Sequence, residues 1–212
     1  MMGLDPALFL AFMAAAVALN LTPGPDMTYV ATRTLAEGRI AGVASAAGIG
    51  AGSLVHTLLA AFGLSSLLIY APYAFDVVKY AGAAYLVWIA FRLWRDSGKT
   101  VSAAPDSARL GIRRAFAEGV LTNVLNPKVA LFFLALLPQF IDPDRGSVAG
   151  QMLTLGFTFT VSGTLVNAGV ALLVACAQGS LHASARFGRF MRRLAALLFV
   201  GFAVRLAIAE RP

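Results

Sequence analysis

Thr22-Pro23-Gly24-Pro25-Asp26 interrupts an apolar run, Leu4 to Ala31, that would otherwise read as a single membrane helix. Each proline removes a backbone donor and clashes with the preceding turn, and the glycine between them loosens the chain. A carboxylate follows directly. Hydrocarbon offers no hydrogen bonds to a broken backbone, so such a break survives only where protein or a water-filled cavity surrounds it. A second interruption, Asn126-Pro127-Lys128, lies in a later apolar run. The two breaks read as the two sides of one transport site.

The rest of the chain supports a bilayer as its solvent. Of the 212 residues, 59% are hydrophobic and 13% charged, against about 45–50% and about 25% in an average soluble domain. The net charge of +7 would raise nucleic acid as a partner in a soluble protein. Here the basic residues lie in short loops between apolar runs and no nucleic-acid motif accompanies them, so none is expected. Cys176 is the single cysteine, which excludes an intrachain disulfide. The first run has no Lys or Arg before Arg33, so it lacks the basic start of a signal peptide and is read as mature protein.

Six runs are long enough to span, at about 20 residues each: residues 4–31, 40–69, 76–94, 115–140, 148–177 and 190–209. The break is expected near the inner end of the first. The second is rich in small residues, with Gly48-x-x-x-Gly52 permitting close helix contact. Residues 96–111 form the one real linker. With six spans, one side of the membrane receives Arg33, Arg39, Arg92, Arg95, Lys99, Arg109, Arg113, Arg114, Arg186, Arg189, Arg192 and Arg193. The other receives Lys79, Arg145, Arg205 and Arg211. Basic loops stay inside, which places the linker in the cytoplasm and both termini in the periplasm.

A weak internal repeat divides the chain. Thr22-Pro23 matches Asn126-Pro127 at an offset of 104, and Leu54-Val55-His56 matches Leu165-Val166-Asn167 at 111. Three spans per half force the halves into opposite orientations, the inverted layout of many secondary transporters. The expected fold is therefore all-α and polytopic: one transmembrane domain of six helices in two inverted three-helix repeats. The halves cover about residues 1–95 and 112–212, and the first and fourth helices are broken at their proline motifs.

Broken helices expose backbone donors and acceptors at membrane depth, with partial charges at the half-helix ends. A zwitterion needs both kinds. The candidate binding residues are Thr22, Pro23, Gly24, Pro25, Asp26, Asn123, Asn126, Pro127 and Lys128. Asp26 and His56 are candidates for proton coupling, since an ionisable group inside a span is costly and His titrates near physiological pH. Blander roles stand beside these. Asp26 and Lys128 neutralise one another or reach the interface, Asn126 and Thr22 cap the break, and His56 is an interhelical donor. Glu118 is read as structural, paired with Arg113 or Arg114. No phosphate loop, nucleophile elbow or metal-ligand spacing is present, so neither an enzyme nor a cofactor or metal site is expected.

Asn20-Leu-Thr-Pro-Gly-Pro-Asp26, the small-residue second span ending in Leu54-Val-His56, Leu121-Thr-Asn-Val-Leu-Asn-Pro-Lys-Val-Ala-Leu-Phe-Phe133 and Leu137-Pro-Gln-Phe140 together resemble the LysE/RhtB family of amino-acid exporters. The likeness runs over nearly the whole chain. It implies a multi-pass protein of the bacterial inner membrane that expels amino acids or close derivatives, in exchange for protons. Its partners would be an amino-acid-like substrate, protons and the lipid bilayer, with the oligomeric state open between monomer and homo-oligomer. A membrane scaffold or assembly factor, and a transporter of another small solute or a cation, are the rival readings. A reporter fused to the C-terminus is expected to register the periplasm; a cytoplasmic signal would overturn the six-span topology.

Overall fold

The computed structural model describes residues 4–64 and 111–177, with isolated helical positions between 80 and 95 and between 193 and 204. The described residues are helical, and no strand occurs among them. The expected linker and most of the third and sixth spans lie outside the described residues.

The first run is a bent pair. Helix α1 (Pro6–Leu21) starts on Asp5, whose carboxylate accepts from the N–H groups of Ala7 and Leu8 at 2.8 and 3.2 Å. The bonds from Leu8 and Ala7 hold its carboxyl below the usual carboxylate range, with help from Arg145. The chain breaks at 22–24 and resumes as α2 (Pro25–Glu37) at an angle of 47°. The break therefore lies near the middle of the span, which reaches Glu37, and not near the inner end of a run closing at Ala31. The polar turns of α2 mask its helical continuation from a hydropathy reading. Gly38, at φ +87°, turns the chain into α3 (Arg39–Leu58), which continues as a π-helical stretch to Leu64.

The second bent pair repeats this design. Helix α4 (Ile112–Val124) is followed by α5 (Pro127–Leu131), which runs on through a π turn and a 3-10 turn to Phe140, at 46° to α4. Pro138 lacks the N–H that a regular helix would need there. Helix α6 (Val148–Ala177) occupies the range expected for the fifth span. Among the described residues two stretches, Arg39–Gly63 and Val148–Cys176, are long and apolar enough to cross a membrane unaided, and each bent pair adds one more if it counts as a single span.

Each second half-helix has a proline at its first position, Pro25 in α2 and Pro127 in α5. The structural counterpart of Pro127 is thus Pro25 and not Pro23, and the offset between the breaks is 102 in place of 104. Pro23 lies within the break itself.

Without a hydrophobic drive between helices in lipid, close packing has to hold the bundle. A Cβ on Gly48 would collide with the backbone carbonyl of Phe116, one on Gly119 would lie 2.6 Å from the Ser45 carbonyl, and one on Gly52 2.8 Å from Asn123 Cβ. The Gly48-x-x-x-Gly52 pattern is therefore the seam between α3 and α4. Gly50 meets Thr164 and Gly156 meets Thr57, so α6 runs antiparallel to α3. A knot of Phe12, Phe132, Phe133, Phe140 and Phe159, with centroids 4.9–6.1 Å apart, fills the space beyond the second break. Such pairs contribute about 0.5–1.5 kcal/mol each beyond their buried area. Ala83 and Ala203 join this core from the third and sixth runs. Large apolar side chains such as Leu58, Phe62, Phe157, Leu165 and Leu173 are exposed along α3 and α6, as lipid contact requires.

Gly48→Ala is expected to destabilise the purified protein by about 1–3 kcal/mol, because the seam has no room to relax. Gly169→Ala, with nothing within 4 Å of its Cβ position, is expected to be neutral or stabilising by up to about 1 kcal/mol. Thermal unfolding in detergent distinguishes them.

Candidate functional site

The two breaks face one another and exchange side chains. Asp26, in the first turn of α2, accepts a hydrogen bond on Oδ2 from Asn123 Nδ2 at 2.9 Å. Lys128, in the first turn of α5, donates from Nζ to the carbonyls of Leu19 and Thr22, at 3.2 and 3.1 Å. Each charge thus reaches across to the last turn of the other break's first half-helix. Asp26, Asn123, Asn126, Lys128 and Thr22 are all buried.

The placement follows from local structure. At the end of α1 the Leu19 carbonyl receives only the capping Thr22 N–H, at 3.1 Å, and both it and the Thr22 carbonyl lie at the negative end of the helix dipole, where an ammonium is favoured. Asp26 sits at the positive end of α2, the favourable place for a carboxylate. Gly24 lets the lysine pass, since a Cβ there would lie 3.2 Å from Nζ. Lys128 does not snorkel to an interface. It and Asp26 are close enough to interact electrostatically, yet each takes neutral hydrogen-bond partners from the opposite break, so the reading in which they simply pair with one another is corrected.

Asn126 is the N-cap of α5, its Oδ1 accepting from the Lys128 N–H at 3.0 Å. Thr22 is the C-cap of α1, and its hydroxyl donates to the Ala18 carbonyl at 2.7 Å. Both capping roles expected from the sequence are therefore present. Pro23, Gly24, Pro25 and Pro127 shape the backbone. His56 lies against the second break: its Nε2 is 3.1 Å from the Asn123 carbonyl and its ring stacks on Phe133 at 5.8 Å. A carbonyl partner requires Nε2 to carry the proton, so His56 acts here as an interhelical donor. It touches Asp26 only through Asn123.

Several polar atoms here remain unspent. Asp26 Oδ1, Asn123 Oδ1, Asn126 Nδ2 and Asn167 Oδ1 are buried and have no hydrogen-bond partner among the described residues. Leaving such groups unmet costs about 1–3 kcal/mol apiece. The described cleft, lined by Leu35, Glu37, Gly38, Ile40, Gly111 and Ile112, lies at the α2–α3 corner and away from the breaks.

Ion pairs join the two bent spans at both ends. At one end Arg33 is buried between Glu37 and Glu118, at 2.9 and 2.7 Å, while Arg114 holds the other Glu118 oxygen at 2.9 Å. Tyr29 donates to the Ala115 carbonyl at 3.0 Å beside them. The expected partner of Glu118 is thus Arg114, joined by Arg33 from the first bent span; the Arg33 contact needed tertiary structure to be seen. At the opposite end Arg145 bridges Asp5 and Asp142, both at 3.0 Å.

The sequence comparisons agree with this architecture. The family model for LysE type translocators matches residues 17–210. The chain belongs to that family. Similar proteins include a membrane protein of Vibrio cholerae, 32% identical over 98% of this chain and all of the relative. A homoserine/homoserine lactone efflux protein of Salmonella typhimurium is 35% identical over 77% of this chain and 78% of its own length. A leucine efflux protein of Klebsiella pneumoniae is 30% identical over 95% of each. No solved structure matches. This LysE type translocator is a membrane transport protein and not an enzyme.

Lys128→Met is expected to lower the stability of the translocator by about 1–3 kcal/mol, because the buried Thr22 carbonyl loses its donor and the Leu19 carbonyl keeps only the Thr22 N–H. Thermal unfolding of the purified variant checks this; unchanged stability would mean that the ammonium does not hold the break.

Proposed function

We propose that this translocator exports amino acids or close derivatives across the bacterial inner membrane by exchange for protons. The observation that carries the reading is the reciprocal clasp of the two breaks, Asp26 on Asn123 and Lys128 on the Leu19 and Thr22 carbonyls, with buried polar atoms left over around it. The site residues are Thr22 to Asp26 with Asn123, Asn126, Pro127 and Lys128, and His56 behind them. The Salmonella and Klebsiella relatives, named for efflux of homoserine and its lactone and of leucine, favour an amino-acid-like substrate.

The chain is read as one domain of two inverted three-span halves, about residues 1–95 and 112–212. Similar bends of 47° and 46°, each followed by a long straight helix, support that division. So does a shared packing motif. Gly52, one turn before His56, packs on Asn123 near the end of α4, and Gly163, one turn before Asn167, packs on Asn20 near the end of α1. Alternating access would open the Arg33–Glu118 and Asp5–Arg145 connections in turn. The basic side, holding Arg33 and Arg114, is the cytoplasmic one. Asp26 carries the proton. Lys128 serves to reset Asp26 in preference to holding a substrate carboxylate, because its ammonium is already engaged.

Reconstitution into proteoliposomes tests this. Counterflow of leucine or homoserine and efflux driven by an imposed pH gradient are expected. Asp26→Asn is expected to slow the proton-driven efflux by about a hundredfold or more, the scale of a lost proton-transfer group. Proton-driven efflux that survives Asp26→Asn would sink the coupling role, and absence of any counterflow would favour a scaffold.

A further inference from the structure

Resting on the reading that amino acids are the cargo, we propose that Asp26 Oδ1, Asn123 Oδ1 and Asn167 Oδ1 form a seat for a primary ammonium, so that the amino group and not the carboxylate decides what enters.

The orientation of each side-chain amide is set by a bond it already makes. Asn123 Nδ2 is committed to Asp26, so its oxygen is the atom left over. Asn167 Nδ2 donates to the Gly163 carbonyl at 3.0 Å, so again the oxygen remains. Asn126 Oδ1 is committed to the Lys128 N–H, which leaves its Nδ2. Among these residues the atoms with no bond at all are three acceptor oxygens, one on a carboxylate, against one amide nitrogen. A primary ammonium presents three donors and no acceptor. A carboxylate would find fewer partners: Asn126 Nδ2 and the one N–H of Lys128 that the Leu19 and Thr22 carbonyls leave over.

Asn167 belongs with the breaks by register. Helix α6 runs in the same direction as the first bent span: Asp5 contacts Arg145 just before it, Asn20 donates to Ser162 at 3.1 Å, and Val30 and Ala171 share one buried cluster. Asn20 lies beside 162–163, Val30 and Ala171 line one cluster, and Thr34 and Ala171 both border Gly42. Asp26 and Asn167, each one turn before the members of that cluster, therefore fall at the same level. The side chains of Asp26, Asn123 and Asn167 are all buried, so their spare oxygens do not have bulk water as an alternative.

Purified full-length protein is assayed by ligand-dependent thermal stabilisation and by competition for leucine counterflow. The probes are leucine, leucinamide, 3-methylbutylamine and N-acetyl-leucine. Leucinamide and the amine are expected to bind within about tenfold of leucine, while N-acetyl-leucine is expected to be weaker by a hundredfold or more, as for a site whose polar groups lose their partner. Asn167→Leu is expected to weaken the amines by about tenfold, one lost bond to a charged group, and Asn167→Asp to keep or tighten them. Equal binding of N-acetyl-leucine, or binding of leucine without leucinamide, would overturn the seat while leaving amino-acid export standing. Stabilisation by sodium over choline with no response to amines would also overturn it, in favour of a metal cation. If no amino acid exchanges and no amine binds, the transport reading itself fails.

Discussion

A helix broken inside a membrane leaves carbonyls that neither water nor the next turn can satisfy, and the rest of this structure is arranged to satisfy them. At the end of α1 the Thr22 carbonyl receives its donor from Lys128, more than a hundred residues away, and the same ammonium adds a second donor to the Leu19 carbonyl beside the Thr22 N–H. That bond ties the first bent span to the second. It also fixes which residue must be small: Gly24, beneath the ammonium. Asp26 and Asn123 make the return link. The breaks are therefore not two separate kinks but a single joint whose parts lie on different spans.

The long helices hold that joint in register through their glycines. Gly48 and Gly52 bring α3 against α4 at the level of Phe116 and Asn123, and Gly163 brings α6 against α1 at Asn20. Since lipid is as apolar as a leucine side chain, such close approach replaces the hydrophobic drive of a soluble core. His56 then adds a polar contact at the place where α3 and the second break meet. Beyond it the phenylalanine knot seals one side of the joint with apolar bulk, keeping water from the buried amides.

Much of this was legible in residue types. Proline and glycine within apolar runs located both breaks, and the glycine spacing in 48–52 located a seam. Val148–Ala177 is legible to its ends because neither a charge nor a proline interrupts the apolar pattern there. The polar half-helix Pro25–Glu37 was cut short, since Asp26, Arg33 and Glu37 look interfacial to a hydropathy count although Asp26 and Arg33 are buried. Two prolines separated by one glycine give no local sign of which one starts the helix, so the sequence aligns Pro23 with Pro127 whereas Pro25 and Pro127 are the helix starts. The partner of Lys128 was not legible at all: backbone carbonyls are the same at every position, and only the fold singles out two of them.

The separation of Asp26 from Lys128 has a physical logic of its own. A direct ion pair at about 4 Å would gain roughly 4 kcal/mol at an effective dielectric of 20, but would draw the ammonium away from the Thr22 carbonyl and leave the Leu19 carbonyl with the Thr22 N–H alone. Splitting the charges gives the ammonium to the backbone and one carboxylate oxygen to Asn123. The second oxygen is then free, buried and still under the influence of a nearby cation. A carboxylate in that condition is poised to exchange partners, because a proton or a ligand ammonium relieves it without first breaking a salt bridge. The structure thus keeps its backbone repaired with one charge and its reactive capacity in the other.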